Sequence, residues 1–369
     1  LREPIRTADV IISQPHWPII AGWLARSQGK VIFDLYTPES LETIEHTRTL
    51  PRRRRQLAVD VTLDRLISSL DIGDHFMCAN ERQRDLWIGA ILASNNLSIA
   101  SYDQDPTLRN LIDVVPYGLP STQPTIPPGV ANPITETFPG IASDDDIVLW
   151  NGGIWPWLDA ESAITAFSEL VPTRPRARLV FMGASSNPVA ESATAAAREL
   201  ASKMGMLGTH VLFNERWVPY GDRFRWLAAA NCSLSLHHEH LETRYSSRTR
   251  LLDCFWAGLP IVCSDGDEFA DEVRRHDLGA VTAGSSPSDV AAALDQVLRR
   301  GRGQFSANLQ AMASSRTWDN VAGPLMRWIF EQPTSPRNRY RKGSRRFRQF
   351  GYRVGHRMLD RRTPGATGL

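Results

Sequence analysis

The chain has 369 residues, 42% of them hydrophobic and 22% charged, which excludes wholesale disorder and, at about 150 residues per domain, suggests two domains. No run reaches the ~18 apolar residues of a membrane span, no signal-peptide pattern opens the chain, and Cys78, Cys232, Cys254 and Cys263 form no CxxC pair; this argues against a disulfide scaffold or cysteine zinc site and fits a reducing cytoplasm. The formal net charge of +2 hides a split: eleven basic residues and one acid follow Pro333, a tail of +10 on a body of −8.

The first half alternates short apolar runs with helical spacing. ADVIIS (Ala8–Ser13), KVIFD (Lys30–Asp34), HFMCA (His75–Ala79) and IDVVP (Ile112–Pro116) read as buried strands. Pro18–Ser27, Arg52–Leu70 and Glu81–Ala93 read as helices between them. Such alternation predicts parallel strands with crossover helices. From Pro116 to Asp146, seven prolines and three glycines forbid continuous helix or sheet and mark a linker, placed at 129–145. The rhythm then restarts. Strands are expected at Asp146–Trp150, Ala177–Gly183, His210–Asn214, Cys232–Leu236 and Pro260–Ser264. Helices are expected at Asp159–Leu170, Ala190–Met204, Gly221–Ala230, Thr249–Ala257, Phe269–His276 and Pro287–Arg300. The predicted fold is α/β with two Rossmann-like doubly wound domains, at 1–128 and 146–315, and a ligand cleft between them. A crossover helix at 316–332 and the basic tail at 333–369 complete the division.

Three segments carry candidate chemistry. NGGIWPWLD (Asn151–Asp159) leads from a strand into a helix. Gly152 and Gly153 would let the backbone approach a phosphate at the helix N-terminus, although two glycines in such a turn also arise for steric reasons. Trp150, Trp155 and Trp157 crowd the same loop and suit either core packing or stacking on a sugar. FNERWVPYGDR (Phe213–Arg223), with Trp217, sits where a nucleotide base could be read or where an ordinary loop could lie. The third, His237–Phe269, holds Glu242, Arg244, Arg248, Arg250 and Asp253. Carboxylates there could accept hydrogen bonds from sugar hydroxyls, and guanidinium groups could fork onto a diphosphate. His237, His238, Glu239 and His240 invite a metal reading, but adjacent positions diverge and no matching cluster accompanies them, so no metal is expected. Asp144-Asp145-Asp146 reads as a solvated turn.

Asp253 to Pro260 (DCFWAGLP), HDLGAVTAGSSPSDVAAALDQVL and Trp318 in RTWDNVAGPLMRWIFEQ resemble the nucleotide-sugar-binding domain of retaining GT-B glycosyltransferases of the family-4 type, the glycosyl transferases group 1. ADVIISQPHWP, KVIFDLYTPE and CANERQRDLW extend the resemblance to the first domain. It implies transfer of a sugar from a nucleotide-diphosphate sugar to a glycan or lipid-linked acceptor, with retention and without metal or further cofactor. It implies donor binding by Gly152, Gly153, Trp217, Glu242, Arg244, Arg248, Arg250 and Asp253. Where the family often has a His after the strand ending in FDLY, this sequence has Asp34 and Tyr36 instead, with His16 on the preceding strand's loop; Asp34 and His16 are the catalytic candidates. The family's diphosphate-binding Arg and Lys are missing from NGGIWPWLD, so Arg248, Arg244 or Arg250 would supply that charge. Glu242 and Asp253 stand farther apart than the family's two acids. The family's opening strand and glycine turn should precede Ala8, and the first residue is Leu; the first domain is therefore expected to be truncated at its front.

Two other readings remain at this stage: a sugar-nucleotide epimerase of the same architecture, and a non-catalytic nucleotide-sugar binding protein. The tail reads either as a solvated end or, with Arg52–Arg55, as an anchor to an anionic membrane on the cytoplasmic face. Nucleic-acid binding ranks below these because no RRM, KH or zinc-finger pattern accompanies the basic run.

Overall fold

A computed structural model describes residues 1–94, 97–183, 188–284 and 286–332. The basic tail, and with it every expectation placed on 333–369, lies outside the described residues.

The first lobe is a four-stranded parallel sheet, β1 (Val10–Ser13), β2 (Lys30–Asp34), β3 (His75–Cys78) and β4 (Ile112–Val114), in spatial order 1-2-3-4. Each strand adds on the same side of its predecessor, so right-handed crossovers put the connecting helices on one face. Val31 and Phe33 point to that face and pack with Leu24, Leu70, Phe76, Trp87 and Ile91. Ile32, of opposite parity, points to the other face. That face is covered from the far end of the chain: Leu325 and Trp328 of the Gly323–Glu331 helix pack on Ile32, flanked by Val10, Met77 and Val115. Trp328 stacks on His75 with 4.5 Å between ring centroids and donates its indole N–H to the Asn110 carbonyl at 2.8 Å. Lys30 donates to the Ile329 and Gln332 carbonyls, satisfying the end of that helix with the charge its dipole favours.

The second lobe is a six-stranded parallel sheet. Its strands are β5 (Asp146–Trp150), β6 (Ala177–Phe181), β7 (Val211–Phe213), β8 (Cys232–Ser235), β9 (Ile261–Cys263) and β10 (Gly279–Val281), in order 10-9-8-5-6-7. Chain order reverses on either side of β5, and such a reversal opens a crevice at the carboxyl ends of the two central strands, β5 and β8. Trp150, Phe167, Phe181, Phe255 and Phe305 are fully buried in its core. The strand β10 was absent from the sequence expectations; GAV is too short to show a pattern.

The proline-rich stretch is not a bare tether. It contains a short helix, Pro133–Thr137, and Leu119, Ile134 and Ile141 are buried in the second lobe's core. The chain crosses between lobes twice, and the crossings are bonded: the Leu119 amide donates to the Arg316 carbonyl at 2.7 Å and the Trp318 amide to the Leu119 carbonyl at 2.9 Å. Gly118 is required here, since a Cβ would stand 2.6 Å from the Trp318 ring and 2.9 Å from its Cα. Farther out the lobes meet through polar contacts. The Tyr36 hydroxyl donates to the Ser247 carbonyl at 2.8 Å, and the Gln83 amide nitrogen reaches the Tyr36 and Tyr245 carbonyls at 2.6 and 2.7 Å. Arg82 pairs with Asp271 and donates to the Gly266 carbonyl at 2.9 Å.

Candidate active site

A cleft of about 680 Å³ lies between the lobes, at the carboxyl end of β5. Its floor is the Asn151–Gly153 turn. The Asn151 side chain donates to the Arg250 carbonyl at 2.8 Å and accepts from the Ser233 hydroxyl at 3.2 Å, tying the turn to the segment that carries the arginines. The Arg250 guanidinium lies over the turn, and a Cβ on Gly152 would stand 3.1 Å from its Nη1. A side chain at 152 would therefore crowd the guanidinium and shift it by a few tenths of an ångström.

Three arginines surround this point, in different electrostatic states. Arg223 faces Asp253 at 3.4 Å. Arg248 is buried, 3.2 Å from Glu242 and 3.6 Å from Asp267, so its charge is compensated internally. Arg250 has no carboxylate partner among the described residues. Burial, with repulsion from Arg248 and Arg223, pushes its pKa down to about 10. A guanidinium so placed is charged at neutral pH and short of an anion. Burial alone would lift the Asp267 pKa, but His237, 3.5 Å away, and Arg248 outweigh it and hold Asp267 below the ordinary carboxylate range. Burial raises Asp253, against the pull of Arg223.

Aromatic side chains form much of the remaining wall. Trp155 and Trp157 stack with centroids 5.3 Å apart and planes 7° from parallel; the His46 ring lies 6.2 Å from that of Trp157. Trp217, 78% exposed, stands at the rim. Tyr36, Tyr117 and Trp318 form an edge-to-face series on the side of the lobe crossings. Burial lifts the Tyr36 hydroxyl to about 12, so it remains a donor.

Of the residues singled out in sequence, Gly152, Gly153, Trp217, Glu242, Arg248, Arg250 and Asp253 all line this cleft. Arg244 does not: it is exposed, its guanidinium 5.9 Å from the Tyr245 ring. Asp34 and His16 are also outside the lining. Asp34 accepts the Tyr36 amide at 3.0 Å, closing the turn after β2, and burial raises its pKa against that bond. His16 lies near Glu39 on the first lobe. Glu42, Arg223 and Tyr117 line the cleft and were missed. Glu42 sits on the helix Glu39–His46, a segment for which no helix was expected from the sequence. Arg223 lay within the segment assigned to reading the base, among residues of no distinctive spacing.

The histidines at 237, 238 and 240 separate into pairs with Asp267, Asp159 and Glu242 at 3.5 to 3.7 Å. Among the described residues no three or more His, Cys, Asp or Glu side chains converge as a metal-binding group. No described helix is long and apolar enough to cross a membrane.

No family model matches the chain, and no curated protein matches it by sequence. Solved structures do. Anabaena HepE, in complex with UDP and glucose, matches with a TM-score of 0.60 and 13% identity over 86% of this chain and 77% of its own. Sucrose-phosphate synthase from Thermosynechococcus elongatus matches with a TM-score of 0.56 and 16% identity over 87% and 74%. A UDP-forming α,α-trehalose-phosphate synthase from Burkholderia xenovorans matches with a TM-score of 0.60 and 11% identity over 89% and 75%. At these identities the likeness is one of fold: two Rossmann-like α/β domains in the GT-B arrangement.

Proposed function

We propose that the chain is a glycosyltransferase that moves a sugar from a nucleotide-diphosphate sugar to a hydroxyl of a glycan or lipid-linked acceptor, with retention at the anomeric carbon and without a metal. The observation that carries this reading is Arg250, a half-buried guanidinium without a carboxylate partner among the described residues, seated on the Gly152–Gly153 turn in the interlobe cleft. Breaking the anomeric C–O bond leaves negative charge on the departing diphosphate and positive charge on the sugar ring. Arg250 and the backbone of the glycine turn neutralise the first, inside a site where fixed charges act more strongly than in water. Glu242 and Asp253 accept hydrogen bonds from donor hydroxyls, and Trp217 stacks on the base. Arg248 holds Glu242 in place. Several of the similar structures were solved with UDP or UDP-glucose or are described as UDP-forming, which supports UDP as the first nucleotide to test.

The division of labour follows the lobes, with the donor held by 146–315 and the acceptor by 1–128. Arg52–Arg54 stand exposed at the start of the Arg52–Leu70 helix, with no acid in its first turn. With the tail they dock the enzyme peripherally on an anionic membrane carrying the acceptor. Equal co-sedimentation with neutral and anionic vesicles would refute the docking.

Calorimetry with UDP, GDP and ADP tests the donor reading. One diphosphate should bind at micromolar concentration and its affinity should drop in Arg250→Met. Failure of all three to bind removes the proposal. Incubation with donor alone distinguishes transfer or slow hydrolysis from epimerisation, which would convert the sugar without releasing nucleotide.

A further inference from the structure

Three carboxylates line the cleft: Glu242, Asp253 and Glu42. The first two belong to the second lobe, and each has an arginine within ion-pair distance. Glu42 belongs to the first lobe. It is half-buried, and its carboxylate makes no hydrogen bond or ion pair with another described residue. Its helix packs against the short helix Leu241–Tyr245, so Glu42 faces Glu242 and Arg248 from the opposite wall. His46, one turn further on, brings the same helix to the stacked Trp155–Trp157 pair. An unpaired acid on the first-lobe wall and an aromatic pair on the second-lobe wall thus line the same cleft, joined where His46 meets Trp157.

Resting on the donor reading above, we propose that Glu42 is the group that takes the proton from the acceptor hydroxyl, with the acceptor's ring lying on Trp157. The acceptor oxygen forms a bond to the anomeric carbon on the face the diphosphate leaves. The anomeric C–O bond breaks, its electron pair departs with the diphosphate, and the hydroxyl proton passes to the Glu42 carboxylate. The neighbours set when Glu42 can do this. Burial and Glu242 hold its proton on and Arg248 opposes them, which places its pKa at about 7; Glu39 on its own helix adds a smaller push upward. From the Arg52–Leu70 helix, Arg65 is engaged by Glu39 and Arg55 by the Ile44 carbonyl. His240 is held by burial below its usual pKa and is neutral in this range. Glu42 is thus ionised, and able to accept a proton, above about pH 7 and not below.

The test uses the full chain with water standing in for the acceptor. Release of nucleotide from UDP-glucose, UDP-N-acetylglucosamine and GDP-mannose is followed from pH 5 to 9, and UDP and GDP binding is measured by calorimetry. Loss of a positioned base costs on the order of 100- to 10,000-fold in rate. Glu42→Gln should lower kcat by at least about 100-fold at pH 8, leave nucleotide affinity unchanged or tighter, and abolish the rise in rate through about pH 7 seen with the parent. Glu42→Asp should retain that rise with a reduced rate. A Glu42→Gln enzyme within threefold of the parent, or with the same pH limb, overturns the assignment. So does loss of rate together with nucleotide affinity, which would make Glu42 part of the donor cleft. If the parent binds neither nucleotide and turns over none of the donors, the transferase reading itself fails, and that outcome is told apart by the inactivity of the parent.

Discussion

Replacing Arg250 with Met should separate binding from stability. The guanidinium sits on the Gly152–Gly153 turn, without a carboxylate partner among the described residues, and burial pushes its pKa down to about 10. A group whose folded pKa lies below its unfolded value, and which is charged on the acid side, costs stability at every pH below the folded pKa. At neutral pH, then, the folded protein carries Arg250 at a penalty, and an apolar side chain of similar length removes it. Binding should respond in the opposite sense. Truncating one partner of a buried charged pair costs about 2–5 kcal/mol. At 1.4 kcal/mol per tenfold, UDP affinity should fall by about 30-fold to several thousandfold. Calorimetric titration with UDP and a thermal melt of the same sample measure both. The expected result is a much weaker Kd with a melting temperature unchanged or raised. A Kd within threefold of the parent would show that the diphosphate does not sit on Arg250. A melting temperature lowered by several degrees would show that the guanidinium is a structural tie.

Arg248→Met should do the reverse. It leaves Glu242 buried without its arginine and Asp267 with His237 alone, at a cost of about 3–5 kcal/mol, so the midpoint of urea unfolding should drop sharply. An unchanged midpoint would mean the pair is not a structural element. Trp217→Ala, at an exposed rim position, should leave stability within about 0.5 kcal/mol. It should weaken nucleotide binding by about 1–3 kcal/mol if a base stacks there, and equal UDP affinity would remove Trp217 from the site.

Much of the architecture was legible because parallel strands buried on both faces announce themselves as apolar runs. KVIFD and DIVLW could hardly be anything else. Glycines after such a strand also mark a crevice in this class of fold, and Gly152 and Gly153 line it. The side-chain assignments were less legible, for a physical reason. Arg244, Arg248 and Arg250 lie within seven residues, and sequence treats them alike. A five-residue helix, Leu241–Tyr245, and a 3-10 turn, Thr249–Leu251, turn them into three different settings: solvent, an ion pair in the cleft wall, and an unpaired seat on the glycine turn. Elements this short carry no periodicity to read. Glu42 lay on a helix, Glu39–His46, that was not expected from the sequence. Attention went to Asp34 because it ends a strand, yet that carboxylate is occupied by the Tyr36 amide, and the acid that reaches the cleft lies two turns of chain later.

The contacts that join the lobes explain why these short elements matter together. Tyr36 and Gln83 bond the carbonyls of Ser247 and Tyr245, on either side of Ser246, and Arg248 follows directly. The first lobe therefore grips the backbone of the loop that aims the arginines. Each such bond contributes on the order of 1 kcal/mol net, so the grip is one that a ligand can outweigh. A ligand can bias the lobes only by the difference in its affinity for their two arrangements. A donor held by Arg250 alone would touch one lobe and supply little of that difference. A donor and acceptor held jointly by Arg250 and Glu42, as proposed, would touch both lobes, which Tyr36 already ties together at Ser247. On the roles proposed for Arg250 and Glu42, a donor together with an acceptor should favour the joined lobes more than a donor alone, and the Tyr36–Ser247 contact is where that difference would be felt.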